Sequence, residues 1–245
     1  MKIDSKKPAL RVENVYKAFG EKLVLNDVSI SVAPSEIFGF VGLNGIGKTT
    51  LIKIIIDLLE LDGGGVEIFG IDKILPEARK NIAYLPEKFQ PSTQIKGVEF
   101  LKFVAGFYKN KFDLEQAQKM AQDLDLDPKA LHLKIGKYSK GMTQKLGLMA
   151  TFLSGAKLII LDEPMSGLDP RARIALKKQL IKYNEAGNAI FFSSHILADM
   201  DEICHHIAIL NNGKIAFDGK PQQFKEKHQE QSLEKAFLNE IGVAF

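Results

Sequence analysis

Gly42-Leu43-Asn44-Gly45-Ile46-Gly47-Lys48-Thr49-Thr50 is the stretch that decides how this chain reads. It follows the apolar run Glu36-Ile37-Phe38-Gly39-Phe40-Val41 and precedes Leu51-Ile52-Lys53-Ile54-Ile55-Ile56. The spacing G-x-x-x-x-G-K-[ST] between a predicted strand and a predicted helix is that of a phosphate loop. Glycines let successive backbone N–H groups curl around an anion that a Cβ would hold off. The helix that follows aims its positive end at the same place. Lys48 supplies a point charge for outer phosphates, and the Thr49 hydroxyl suits Mg²⁺. A glycine-rich turn that binds nothing is the competing reading. The flanking strand and helix and the lysine-threonine pair weigh against it.

Working outward, 245 residues suit one large domain or a domain with a smaller one embedded in it. Apolar residues at 45% and charged residues at 26% are ordinary for a globular protein in water. A formal charge of +3 is too near neutral for a nucleic-acid footprint, so no nucleic-acid partner is expected. The single cysteine, Cys204, excludes an internal disulfide and reads as a small helix thiol in a reducing compartment. No run approaches the roughly 18–20 apolar residues of a membrane span; Leu51 to Leu61 is interrupted by Lys53, Asp57 and Glu60. Met1 to Pro8 lacks the apolar core of a signal peptide. The expectation is a cytoplasmic protein whose membrane role comes through a partner.

Leu10–Val15 and Val28–Val32 read as antiparallel strands flanking the strand before the phosphate loop, with turns at Gly20-Glu21-Lys22 and Asn26-Asp27. Phe19 lies beside the first turn, where core packing is the default for an aromatic. Beyond the first helix, Asp62-Gly63-Gly64-Gly65 reads as a turn and Val66–Gly70 as a strand. Ile82–Glu87 is a strand stopped by Pro86. From about Lys88 to Gly155 only helical patterns occur, at Val98–Tyr108, Leu114–Leu124 and Gly141–Leu153, which suggests an inserted helical subdomain. Lys157–Leu161 suits a fully buried parallel strand. A helix from about Arg171 to Ala186, a strand Ala189–Ser193 and a helix Ile196–Cys204 follow. Strands Ile207–Leu210 and Lys214–Phe217 meet at the hairpin signal Asn212-Gly213. The tail beyond Pro221 is polar and helix-prone, with Leu233, Phe237 and Leu238 on one face. The fold class is therefore α/β.

Asp162-Glu163 closes the buried strand at the end where such sheets bind ligands. Asp162 suits a water-mediated Mg²⁺ position, and Glu163 lies where it could act as base toward a hydrolytic water. His195 ends another apolar strand on the same sheet edge, which favours a polar contact to the γ-phosphate. His132, His205, His206 and His228 read as structural or surface residues. Ser139, within Tyr138-Ser139-Lys140-Gly141-Met142-Thr143-Gln144-Lys145, reads as an ordinary helix N-cap. With Gly141 it could also face an anion, one belonging to a second molecule.

Together these residues resemble the nucleotide-binding subunit of ABC transporters over essentially the whole chain. Gly42 to Thr49 resembles the family's Walker A, and Leu158-Ile159-Ile160-Leu161-Asp162-Glu163 its Walker B with the catalytic glutamate. Ser166-Gly167-Leu168-Asp169 is similar to the D-loop, and His195 to the switch histidine. Phe19 falls where the family stacks an aromatic on adenine. The resemblance implies one ABC ATPase domain over 1–245. A P-loop NTPase, RecA-like core with a mainly parallel mixed sheet and an antiparallel β subdomain would take about 1–87 and 156–220. An all-helical subdomain would take about 88–155 and a helical tail 221–245. It implies ATP and Mg²⁺, with Glu163 and His195 catalytic and Thr49, Glu87 and Asp162 around the metal. Phe19, Gly42, Leu43, Asn44, Gly45, Ile46, Gly47, Lys48, Thr49, Thr50, Ser139, Gly141 and Asp169 would contact nucleotide.

Two positions depart from the family pattern. The usual signature Leu-Ser-Gly-Gly-Gln is here Tyr138-Ser139-Lys140-Gly141-Met142, so Lys140 replaces a glycine. Glu87 stands in place of the Q-loop glutamine and adds a negative charge beside the phosphates. Both, with the tail Ser232 to Leu238, resemble the branch serving drug, lipid and polysaccharide exporters. The resemblance implies a head-to-tail dimer of ATPase subunits on the inner face of the cell membrane. It also implies a separate multi-span permease docked in the groove beside Glu87 and the helices after it. The alternative is a soluble ATP-switched module acting on ribosome or DNA.

Overall fold

A computed structural model describes residues 7–242. The readings that fall on 1–6 and 243–245, the missing signal peptide among them, lie outside the described residues. In chain order the elements are β1 (Leu10–Phe19), β2 (Lys22–Val32), β3 (Ile37–Val41), α1 (Lys48–Ile55), β4 (Gly63–Ile68), β5 (Ile71–Asp72), α2 (Pro76–Arg79) and β6 (Ile82–Leu85). There follow α3 (Gly97–Phe107), α4 (Leu114–Asp123), two 3₁₀ turns (Pro128–His132 and Ile135–Lys137) and α5 (Lys140–Leu153). The chain closes with β7 (Leu158–Asp162), α6 (Pro170–Glu185), β8 (Ala189–Ser194), α7 (Leu197–Ile203), β9 (His206–Asn211), β10 (Lys214–Gly219), α8 (Pro221–Lys227) and α9 (Leu233–Glu240).

Continuous apolar runs have both faces to bury, so they take central places in a parallel sheet. Every residue of β3, β7 and β8 is buried. The six-stranded sheet runs β10-β9-β3-β8-β7-β6 and is parallel except for the β9–β10 hairpin. Side chains alternate between its faces. Ile37, Val41, Ile159, Leu161, Ile190 and Phe192 join the core shared with α3 to α7. Phe38, Phe40, Leu158, Ile160 and Phe191 join the core shared with α1 and a second, antiparallel sheet of order β2-β1-β4-β5. The chain is α/β, with a mainly parallel sheet held between helices on one side and an antiparallel layer on the other.

Three expectations change. The N-terminal strands do not sit beside β3; they pair with each other and β4 in the second sheet. Asn26-Asp27 is no turn but part of β2, where Asp27 takes φ 60° at a register irregularity and its carboxylate accepts from Asn14 Nδ2 at 2.8 Å. Asx residues tolerate that backbone region, which is why they mimic a turn signal. Gly63-Gly64-Gly65 likewise opens β4. Gly64 has φ +89°, and a Cβ there would lie 2.2 Å from the Asn14 carbonyl oxygen. Gly64 serves close strand approach at a bulge. The two-residue β5 and four-residue α2 are too short to show a periodicity. Between Lys88 and Gly155 the described elements are helices and 3₁₀ turns, with a lone bridge between Lys96 and Lys134.

Candidate active site

β3, β7 and β8 are adjacent or next-but-one in the sheet, so their C-terminal ends open on one side. A cavity of about 340 Å³ lies there, lined by Asn44, Gly45, Gly47, Lys48, Thr49, Thr50, Glu87, Asp162, Glu163, Ser166 and His195. The crevice beyond the carboxyl ends of parallel strands is where this architecture places ligands.

The loop after β3 requires its glycines. A Cβ on Gly42 would meet Ile46 Cγ2 at 2.9 Å and the Leu210 carbonyl at 3.0 Å. Gly47 caps α1 at φ +125°, where a Cβ would press on Val24 Cγ1 at 3.0 Å. The loop is thus wedged between the β2 strand and the β9–β10 hairpin, and its backbone faces the cavity. The Lys48 ammonium donates to the Gly42 carbonyl at 2.7 Å and stands 3.5 Å from Glu163 Oε1.

The Thr49 hydroxyl donates to Asp162 Oδ2 at 2.8 Å, so α1 and β7 are joined beneath the cavity. Ser193 donates to the other oxygen, Asp162 Oδ1, at 2.6 Å and accepts from the Glu163 N–H at 3.0 Å. Ser193 is fully buried and orients both acids. Motif reasoning passes over it; the one available signal is a pair of serines closing the phenylalanine-rich run of β8.

Glu163 sits at φ 50°, a region that costs a non-glycine residue of order 1–3 kcal/mol. Its Oε2 lies 2.7 Å from His195 Nδ1. Its Oε1 is the one buried side-chain polar atom among the described residues without a hydrogen-bond partner. A strained carboxylate oxygen buried beside a cavity, with no hydrogen bond and only the Lys48 ammonium near it, is a group held for a ligand or a water. Nearby, burial together with the negative charges of Asp162 and Glu87 pushes the Tyr84 phenol up to about 12.

Of the residues expected to act together, Asn44, Gly45, Gly47, Lys48, Thr49, Thr50, Glu87, Asp162, Glu163 and His195 line the cavity. Gly42 and Leu43 border a neighbouring cavity that shares His195 and is closed by α9. Ile46 packs inside the loop. Phe19 is not a wall of the phosphate cavity and does not pack in the core: it ends β1 with half its surface exposed, with the Lys17 ammonium 5.6 Å from its ring. Ser139 caps α5, accepting from the Met142 N–H at 3.2 Å, and Gly141 follows; neither lines the cavity. Asp169 caps α6 by accepting from the Ala172 N–H, which holds its carboxyl below the usual range. The remaining histidines do structural work or face solvent: His205 Nδ1 accepts from the Ile37 N–H, His206 pairs with Asp218, and His228 with Glu240.

The residues fit a magnesium nucleotide. A Cβ on Gly42 or Gly47 would push the loop off the strands behind it, Thr49 and Asp162 form an oxygen pair of the hard type Mg²⁺ takes, and Glu163 Oε1 has no hydrogen-bond partner, only the Lys48 ammonium 3.5 Å away. Comparison with known proteins identifies the family. Residues 25–166 match the family described as ABC transporter. An uncharacterized ABC transporter ATP-binding protein of Nostoc sp. is 35% identical over 216 residues, 85% of this chain and 64% of that protein. The chain thus spans less than two thirds of that relative's length. The Nod factor export ATP-binding protein I of a Rhizobium species is 30% identical over 227 residues, 91% of this chain and 74% of that protein. A solved structure described as an ATP-binding subunit of an ABC transporter superposes with a TM-score of 0.86 at 29% identity, covering 95% of this chain and 99% of the other.

Proposed function

Because this chain belongs to the ABC transporter family of ATP-binding proteins, we propose that it hydrolyses ATP to drive a separate membrane-spanning partner, in the direction of export. The observation that carries the reading is the convergence of the phosphate loop, Asp162, Glu163 and His195 on one cavity. Backbone N–H groups of 44–49 cradle the phosphates, and Lys48 leaves its carbonyl partners to pair with their charge. Bound Mg²⁺, held by Thr49 with Asp162 and Glu87 around it, would supply charge neutralisation along the phosphate chain. Glu163 takes the proton of the attacking water at Oε1, while His195 holds Oε2 and orients the carboxylate. Phe19, exposed at the end of β1, supplies a stacking face for the base.

Ser139, Gly141 and Asp169 act in a second chain's site. Their place at helix starts outside the cavity, with Ser139 and Asp169 exposed and Gly141 half-buried, supports a head-to-tail pair, each serine-led helix completing the other molecule's phosphate pocket. Nucleotide binds the closed pair better than the open one and so shifts the equilibrium. Among the described residues no helix is long and apolar enough to cross a membrane, and on this reading the spans belong to a partner. The docking site is an apolar groove lined by Tyr84, Phe89, Phe100, Phe103 and Phe107, in which Phe103 and Phe107 are largely exposed. The export direction is supported by the relative named for Nod factor export. That relative and the Nostoc protein, both named as transporter or export ATP-binding proteins, give no support to a ribosome or DNA role.

Glu163→Gln tests the reading: ATP binding should persist, turnover should fall by about 10²-fold or more, and a dimer should elute from size exclusion with ATP. Normal hydrolysis by this variant would remove Glu163 from the role of base.

A further inference from the structure

The two positions that depart from the family pattern, Glu87 and Lys140, are 53 residues apart in sequence, yet they line one cavity. This second space, about 390 Å³, is walled by Glu87, Lys88, Tyr138, Lys140, Thr143, Gln144 and Ser166, with Phe89 and Gln90. Glu87 and Ser166 also line the phosphate cavity, so the two spaces adjoin.

Charge makes the juxtaposition meaningful. The phosphate cavity carries three carboxylates, Glu87, Asp162 and Glu163, against one ammonium, Lys48, among the described residues. Asp162 is committed to Thr49 and Ser193, and Glu163 to His195 and Lys48. Among the described residues Glu87 has no ion pair, and the part of its charge that bound Mg²⁺ does not offset would repel an incoming triphosphate. Lys140 has none either; its aliphatic stem lies along Gly167, and a Cβ on that glycine would stand 3.1 Å from Lys140 Cε. Lys140 is exposed, and its ammonium is directed by side-chain torsions. The start of α5 is further tied to the segment after Glu163 by Gln144, whose amide donates to the Pro164 carbonyl at 3.3 Å.

We propose that Lys140 is the counter-charge of Glu87 within the same chain. Its ammonium crosses the second cavity to the carboxylate when nucleotide fills the first, neutralises the acid at the edge of the phosphate pocket, and draws the serine-led end of α5 toward the segment after β6. Lys140 is a positioning residue, acting on nucleotide through Glu87. The inference rests on reading the first cavity as the ATP site.

The test is a double-mutant cycle of Lys140→Gln and Glu87→Gln, with steady-state hydrolysis read for each variant after its melting curve shows a folded protein. Lys140→Gln should raise KM for magnesium ATP about three- to fivefold, the size expected of a partly screened pair. In the Glu87→Gln background the same change should alter KM by less than about 1.5-fold. Lys140→Arg should restore the parental value within about twofold, and the Lys140→Gln effect should shrink in high salt. An equal rise in both backgrounds would assign the ammonium to phosphate across the dimer and overturn the pair. A readout independent of hydrolysis is cross-linking of the Glu87→Cys, Lys140→Cys chain with a short bis-maleimide. The Cys204 thiol, pushed well above its usual range by desolvation, competes poorly. A link within one chain supports the pair even where hydrolysis fails, in which case the ATP reading is what falls. A link only between chains, or none, overturns the pair.

Discussion

Ser193 shows how much of the site depends on a single hydroxyl. It donates to Asp162 and accepts from the N–H of Glu163, so it fixes both Asp162 and the strained acid beside it. Ser193→Ala leaves a fully buried carboxylate oxygen and a backbone N–H unpaired, which should cost about 1–3 kcal/mol of stability, measured by chemical denaturation. Turnover should fall with it, because the Glu163 carboxylate loses its backbone anchor. Lys48→Ala should abolish measurable nucleotide binding in a fluorescent-nucleotide titration, while melting stays cooperative. Undiminished affinity would free the lysine from its assigned role. Lys48, Thr49, Asp162 and Glu163 were legible in the sequence because their spacing is tied to element ends. Ser193 was not, because its importance comes from a neighbour 31 residues away.

At the level of elements, β3 is the strand on which the site is built, and Gly39 is its tightest point. A Cβ there would approach Cys204 Sγ at 2.9 Å, Met200 Sδ at 3.0 Å and Ile207 Cγ2 at 3.2 Å. Gly39→Ala should therefore destabilise by about 1–3 kcal/mol, read from a melting curve, as overpacking does. The β9–β10 hairpin beside it carries a pH-dependent clasp. The hydrogen bond and charge of Asp218 raise the His206 pKa above 6.5, against the effect of burial, with Glu36 adding to the rise. A raised histidine contributes its stability fully below the unfolded value near 6.5 and loses it as pH climbs through the folded value. Asp218→Asn should lower the melting temperature at pH 6, and the difference should disappear toward pH 9. A gap that stays constant with pH would show that packing, and not charge, is what Asp218 supplies. Long elements with a strong pattern, such as α5 and β7, were legible. Asn26-Asp27 and Gly63-Gly64-Gly65 were misread, because the same residues serve turns and bulges.

For the whole molecule, the proposed function joins three separate surfaces: the cavity at the phosphate loop, the exposed serine-led helix and the phenylalanine groove. Replacing Phe103 and Phe107, both largely exposed, with serine should leave stability within about 0.5 kcal/mol per site or slightly improved. It should sharply reduce the membrane protein recovered with this chain from detergent extract. Undiminished recovery would move the docking site elsewhere. The sequence by itself determined the phosphate loop, the acidic strand end and the α/β alternation, because each is a local pattern written in contiguous residues. Only the tertiary structure decided the strand order of the second sheet, that Ser193 joins the two acids, and that Glu87 and Lys140 share a cavity. Those facts depend on which distant segments pack together, and burial of apolar surface, which drives that packing, is non-directional: it marks which face of an element is buried but not which distant segment covers it.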